Sequence, residues 1–358
     1  MLSFIVKRVL YGLLVLFGVV SVVFILFNVL PGDPARMMLG QRADKASIEA
    51  INKDLGLNQS LPTQYFLYLN DLSPISVHKP DVKESIVYLD TTKYSGIQLV
   101  HIGEIVILAK APYLRRSYQS QKKVNQIIAE TLVETTVLAI AAIILATVIG
   151  VFLGILSALY KDGILDRLSL IFATSGMALP SFFVGIVIAW IFGYILSDYT
   201  GLDMTGSLFE VDDMGNGEYL ALRNLILPAI TLGVRPLAVI VQLSRNSMLE
   251  VLSQDYIRTA RAKGLSNKVV VLKHALKNAL NPVLTAVSGM FASLMAGAVF
   301  VEIVFAWKGI GWEVVNALEK YDLPVVMGAV LVIAVIFVVI NIIVDILYGV
   351  LDPRVRVS

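Results

Sequence analysis

Between Ser253 and Pro282 the chain reads "SQDYIRTARAKGLSNKVVVLKHALKNALNP", in which Arg258, Arg261, Lys263, Lys268, Lys273 and Lys277 face a single acid, Asp255. Cations at this spacing, beside one carboxylate and one Tyr, can bind a partner. They have no adjacent nucleophile, base or metal-ligating pair with which to break a bond. "DYIRTARAKG" has the pattern of a short helix: Asp255 lies near the start and Arg261 and Lys263 near the end, as the helix dipole favours. Gly264 follows, free to take the left-handed conformation that closes helices. A second helical stretch, "NKVVVLKHALKNAL", has Asn267 as its candidate cap.

Little else in the chain has the makings of a reactive centre. There is no Cys and the three His are scattered, which removes Cys-based zinc sites, iron–sulfur clusters, thiol nucleophiles and disulfides together. His274 stands alone in a helical stretch. No nucleophile elbow or paired-carboxylate constellation occurs. No "GxxxxGK[ST]" phosphate loop is present either. A net charge of +2 gives no sign of a nucleic-acid partner.

The elements that must position the basic segment are apolar. Hydrophobic residues make up 57% of the chain and charged residues 16%, against roughly 45–50% and 25% in soluble domains. The excess sits in runs long enough to cross a bilayer core, which needs about 20 residues per helix. Six are expected: about 9–30, 132–160, 168–196 with Pro180 inside, 225–243 with Pro228 and Pro236, 283–305, and 325–350. Lys7 and Arg8, Lys161 and Arg167, the basic segment, and Arg354 and Arg356 would then share one side. The loop 198–223, rich in Asp and Glu, would occupy the other. An excess of Lys and Arg marks the cytoplasmic side, so both termini are expected in the cytoplasm. The basic segment can there serve as a knob for a protein partner, or anchor to anionic headgroups at about 1 kcal/mol per residue.

The chain thus divides into residues 1–35 with the first span, an external segment 36–130, and a five-helix core 131–358 containing a cytoplasmic loop 245–281. In the external segment "ADKASIEAINKDLGLNQ" reads as helical, Leu61-Pro62 as a turn, and "ESIVYLD" and "GEIVILA" as strand-like runs. The basic "YLRRSYQSQKK" that closes it reads as a solvated face. Arg235, near the middle of the fourth span, would cost about 2.5–3.5 kcal/mol to insert alone. It is expected to face water and a substrate carboxylate, or to pair with an acid such as Glu134, Glu302 or Asp345 or with carbonyls freed near the prolines. Glu302 and Asp345 lie near span ends, where an interfacial position is expected.

The basic segment resembles the cytoplasmic coupling loop of binding-protein-dependent ABC transporter permeases, whose pattern is Glu-Ala-Ala, three residues, Gly. Here Arg258, Thr259 and Ala260 stand in the first three places and Gly264 in the last, followed by "ALNPVL". The variant "DYIRTARAKGL" with "HALKNALNPV" is similar to the dipeptide/oligopeptide branch. "FIVKRVLYGLLVLFGVVSVVFILFNVLPGDPA", "LGLNQSLPTQYFLYLNDL", "LSRNSMLEVL" and "VEIVFAWKGIGWEVVNALEKYDLPVVMG" resemble the B-type subunits of that branch in the same order. Residues of about 73–121 have the look of an insertion, and Lys308 stands where the pattern has Pro.

The resemblance implies an all-α integral membrane protein with a type I ABC importer permease fold, carrying a small external domain between its first two helices. It implies a transport subunit of the bacterial cytoplasmic membrane, not an enzyme. Its partners would be a second homologous permease, two ATP-binding subunits, an extracytoplasmic substrate-binding protein and the lipid bilayer. The residues at the ATPase would be Asp255, Tyr256, Arg258, Thr259, Ala260, Arg261 and Gly264. The cargo would be a peptide, with nickel, glutathione or an antimicrobial peptide as alternatives. An autonomous secondary transporter or channel, and a membrane scaffold, are the other readings of the same residues.

Overall fold

The computed structural model describes residues 2–29, 58–82, 85–91, 93–212, 215 and 217–351. The expected helix at 43–59 falls almost wholly outside them. Among the described residues, four helices can each cross a membrane unbroken by length and composition: α1 (Leu2–Val29), α3 (Val124–Leu159), α6 (Ile226–Leu252) and α11 (Leu323–Leu351). The expected third and fifth spans are instead bent pairs, so the number reaches six only if each pair counts as one. The third divides into α4 (Ile164–Ala178) and α5 (Ser181–Trp190), at 112° to one another. Pro180 lacks an amide hydrogen and drives Leu179 into extended backbone, with ψ of 137°. The fifth divides into α8 (Asn281–Gly297) and α9 (Val299–Phe305), bent by 59°. Pro236 lies inside α6, which continues past it.

Two compact units divide the chain, one of Met1–Gly12, Thr131–Trp312 and Val335–Ser358, the other of Leu13–Glu130 and Glu313–Ala334. The first holds the membrane core. Leu138, Ala142, Leu232, Phe305 and Trp307 are buried together at its centre. Ala146, Ala173, Leu237, Ile240 and Val283 form a further cluster. Small residues let the helices approach: a Cβ on Gly154 would stand 2.5 Å from the Ser244 side chain and 2.7 Å from the Val241 carbonyl. The acidic loop contributes a hairpin that sequence alone did not suggest, β4 (Phe209–Val211) with β5 (Glu218–Leu220).

The second unit contains the segment between the first two long helices. Pro62 opens a helix, α2 (Leu61–Leu72), where a turn was expected, because its fixed φ suits the first turn. Its aromatics join α1 and α11 through Phe24, Tyr68 and Leu331. A three-stranded antiparallel sheet follows, with β3 (Ile105–Lys110) between β1 (Ile75–His78) and β2 (Gly96–Ile102). "GEIVILA" supplies β3 as expected. "ESIVYLD" does not form a strand; residues 85–90 are turns and one bridge between Lys79 and Tyr88.

The basic stretch at 113–123 is only partly a solvated face. Arg116, Lys122 and Lys123 are exposed, but Ser117 and Tyr118 are buried. The Asp322 carboxylate, 4% exposed, accepts hydrogen bonds from the Ser117 hydroxyl and from the Tyr118 amide at 2.9 Å. One acid therefore pins this loop to the start of α11.

Candidate coupling surface and membrane path

The basic segment folds as two helices on an apolar platform. α7 (Asp255–Ala262) has only Ile257 and Ala260 buried, three residues apart and so on one face. They meet Ala158 of α3, Met248 of α6, and Val270, Val271, Ala275 and Ala279 of the second stretch. That stretch is built from Asn267–Val269, a π-helical turn Val270–Ala275, and Leu276–Ala279. Its cap position belongs to Ser266, with ψ of 149°, and Asn267 is already helical.

Everything else on α7 points outward. Asp255, Tyr256, Arg258, Thr259, Arg261, Lys263 and Gly264 are exposed. Arg258 lies 3.4 Å from Asp255, with side chains 75% and 94% exposed, so the pair leaves both charges available. The Tyr256 hydroxyl accepts from Asn278 Nδ2 at 2.8 Å. Gly264, at φ +75°, closes the helix: its amide donates to Arg261 at 2.9 Å and the next amide, Leu265, to Ala260 at 3.4 Å. That is the left-handed helix stop glycine permits. Of the seven residues assigned to a partner contact, Ala260 is the exception. At 6% exposed it belongs to the platform, and its role is to hold the outward face in place.

Sequence reasoning missed what fixes the platform. Asp166 near the start of α4 is 1% exposed and takes two bonds from Arg245 of α6, Nε at 2.6 Å and Nη2 at 2.7 Å. The Ser157 hydroxyl and the Asp162 amide donate to the same carboxylate. The clamp joins α3, α4 and α6, whose Ala158 and Met248 carry α7. Asp166 and Arg245 lie 79 residues apart, and "LSRNSMLEVL" gave no sign of the pairing.

A second network surrounds Glu302, which is 0% exposed. Its carboxylate accepts from Thr135 Oγ1 at 2.6 Å and from the Trp312 amide at 2.9 Å, so the turn "AWKGIG" wraps around it. The Lys308 amide donates to Ser207 Oγ at 3.0 Å, a bond that proline at this position could not make. A Cβ on Gly309 would stand 2.2 Å from Glu302 Oε1 and 2.5 Å from Thr135 Oγ1. Gly309→Ala is therefore expected to destabilise the protein by about 1–3 kcal/mol, the usual cost of overpacking. Thermal unfolding in detergent checks it, with Gly289→Ala, where an added Cβ meets nothing, as the neutral comparison.

Arg235 is exposed on α6 and makes no hydrogen bond or ion pair among the described residues. Its three expected partners are engaged elsewhere. Glu134 accepts from the Leu208 amide at 3.1 Å, Glu302 holds the turn, and Asp345 pairs with Arg8 at 3.0 Å.

With this geometry in place, the family follows from comparison. Residues 150–357 match the model of the binding-protein-dependent transport system inner membrane component, and residues 1–81 match the N-terminal model of the same systems. The chain belongs to that family. It is 36% identical to the dipeptide transport system permease protein DppB of Alkalihalophilus pseudofirmus, over 99% of this chain and 100% of the relative. It is 33% identical to the glutathione transport system permease protein GsiC of Pectobacterium atrosepticum, over 99% of each. Among solved structures, one of the MetNI methionine ABC transporter, inward facing, aligns with a TM-score of 0.50 at 19% identity, over 64% of this chain and 97% of the other. The permease is thus a multi-pass inner-membrane subunit of an ABC importer with the type I fold. It is a transport subunit and not an enzyme, since ATP hydrolysis belongs to partner subunits.

Proposed function

We propose that the permease carries short peptides, delivered by an extracytoplasmic binding protein. It would work beside a second, homologous permease and two ATP-binding subunits, with both termini in the cytoplasm. ATP and Mg are held by those subunits, and this chain supplies a path and a lever. The observation that carries the reading is the outward face of α7: charged and polar side chains on a helix whose inner face is locked to α3 and α6. A helix mounted in this way moves with the membrane helices, so closure of the ATPases against Tyr256, Arg258 and Arg261 becomes a tilt of the path. The dipeptide assignment of the DppB relative supports peptide as cargo.

The test is a purification of the tagged chain in mild detergent, followed by reconstitution with its binding protein. Two ATPases and a second permease are expected to accompany it, and uptake of a dipeptide is expected to require ATP. A chain that purifies alone and moves solute without ATP would instead be an autonomous transporter.

A further inference from the structure

The exposed surfaces of the membrane helices differ in kind. On α3, from Val133 to Leu159, every exposed side chain is apolar: Val133, Ile140, Ile144, Val148, Ile149, Phe152 and Leu159. α11 likewise exposes Val335, Phe337, Val339 and Ile343. Such faces suit lipid. α6 breaks the pattern, because after Ile226 its exposed residues are Arg235, Asn246 and Glu250, with Val239 and Gln242 half-buried between them. Spacings of four, three, four and four place all five on one side of the helix. Asn246 and Glu250 belong to the segment 245–281 read as cytoplasmic, but Arg235 and Gln242 lie within the span, and a guanidinium at that depth meets water or polar protein rather than hydrocarbon.

The charge on that face is one-sided at depth. Glu250 is 15 residues from Arg235, about 22 Å along the axis. Asp166, the acid engaged by the other arginine of α6, belongs to the clamp. Within the span Arg235 is thus a lone guanidinium above one neutral amide, Gln242. A guanidinium matches a carboxylate with two parallel hydrogen bonds, and primary amides both donate to and accept from peptide groups.

We propose that this face of α6 is a water-lined wall of the translocation path, and that Arg235 reads the free carboxylate of the passing peptide. The proposal rests on the peptide-import reading above and adds the chemical group recognised. A bare metal cation would be repelled at the same point.

The chain has no cysteine, so single cysteines report directly on its surfaces. In the assembled transporter, Val239→Cys and Gln242→Cys are expected to react with a charged methanethiosulfonate, and Val148→Cys and Phe152→Cys to resist it. Uptake into proteoliposomes is then measured for dialanine and for dialanine amide. The wild type is expected to favour the acid. Arg235→Gln should lower dialanine uptake about tenfold, the scale of one charged hydrogen bond, and bring the two probes level, while Arg235→Lys retains the preference. The same binding protein serves every variant, so a changed ratio belongs to the permease. Unreactive cysteines on α6, or an unchanged ratio in Arg235→Gln with dialanine still imported, overturns the proposal alone. If the wild type imports neither probe while its ATPases co-purify, the peptide reading fails and takes this one with it.

Discussion

Replacing Arg245 with alanine is expected to abolish ATP-driven uptake and to cut the yield of folded transporter several-fold. Asp166 is 1% exposed and receives both of its strongest bonds from that guanidinium. Without it the carboxylate keeps only the Ser157 hydroxyl and the Asp162 amide. Removing one partner of a buried pair costs about 3–5 kcal/mol, because the other charge stays buried and uncompensated. That is a large share of the 5–15 kcal/mol by which proteins are stable. Arg245→Lys should rescue poorly, since a single ammonium cannot reproduce the two-pronged contact. The double variant Asp166→Asn with Arg245→Gln removes both charges and should regain much of the yield. Thermal unfolding and size-exclusion profiles in detergent measure all three. An Arg245→Ala protein that unfolds at the wild-type temperature would show that the clamp does not hold the platform.

That clamp also marks where sequence reading stopped. α7 was legible because its signals are local: an acid in the first turn, bases in the last, a glycine at the stop, and two apolar residues three apart. Pro180 stood inside an expected span, but the 112° turn between α4 and α5 depends on how both halves pack. The network of Glu302 was not legible because its partners, Thr135 and the turn amide of Trp312, lie on other elements. Seen alone, an acid near the end of an apolar run reads as interfacial. Asp166, Arg245 and Asp322 were missed for the same reason: a long-range pair leaves no periodicity. Ala260, assigned to coupling by its motif position, is buried beneath the outward face. For Arg235, which the sequence flagged as a costly charge, the geometry engages each of the three candidate acids elsewhere.

Reversing Arg258 and Arg261 together to glutamate is expected to leave the permease folded and to strip it of its ATPases. Both side chains are exposed, and the pair of Arg258 with Asp255 is open to solvent, so the fold gains little from either. The unfolding temperature should therefore match the wild type. An interface is far more sensitive, because like charges brought together cost several kcal/mol and each 1.4 kcal/mol is tenfold in affinity. Co-purified ATPase should fall at least about tenfold on that scale, and uptake should fall with it. Ile257→Ala provides the contrast: it truncates a fully buried side chain at a cost of about 2–5 kcal/mol, so stability and ATPase retention should drop together. The two patterns separate a docking face from a structural one on the same eight-residue helix. ATPases retained at the wild-type ratio in the double glutamate variant, with uptake intact, would mean that the exposed cations of α7 meet something else, and the anionic headgroups of the bilayer would be the next surface to test.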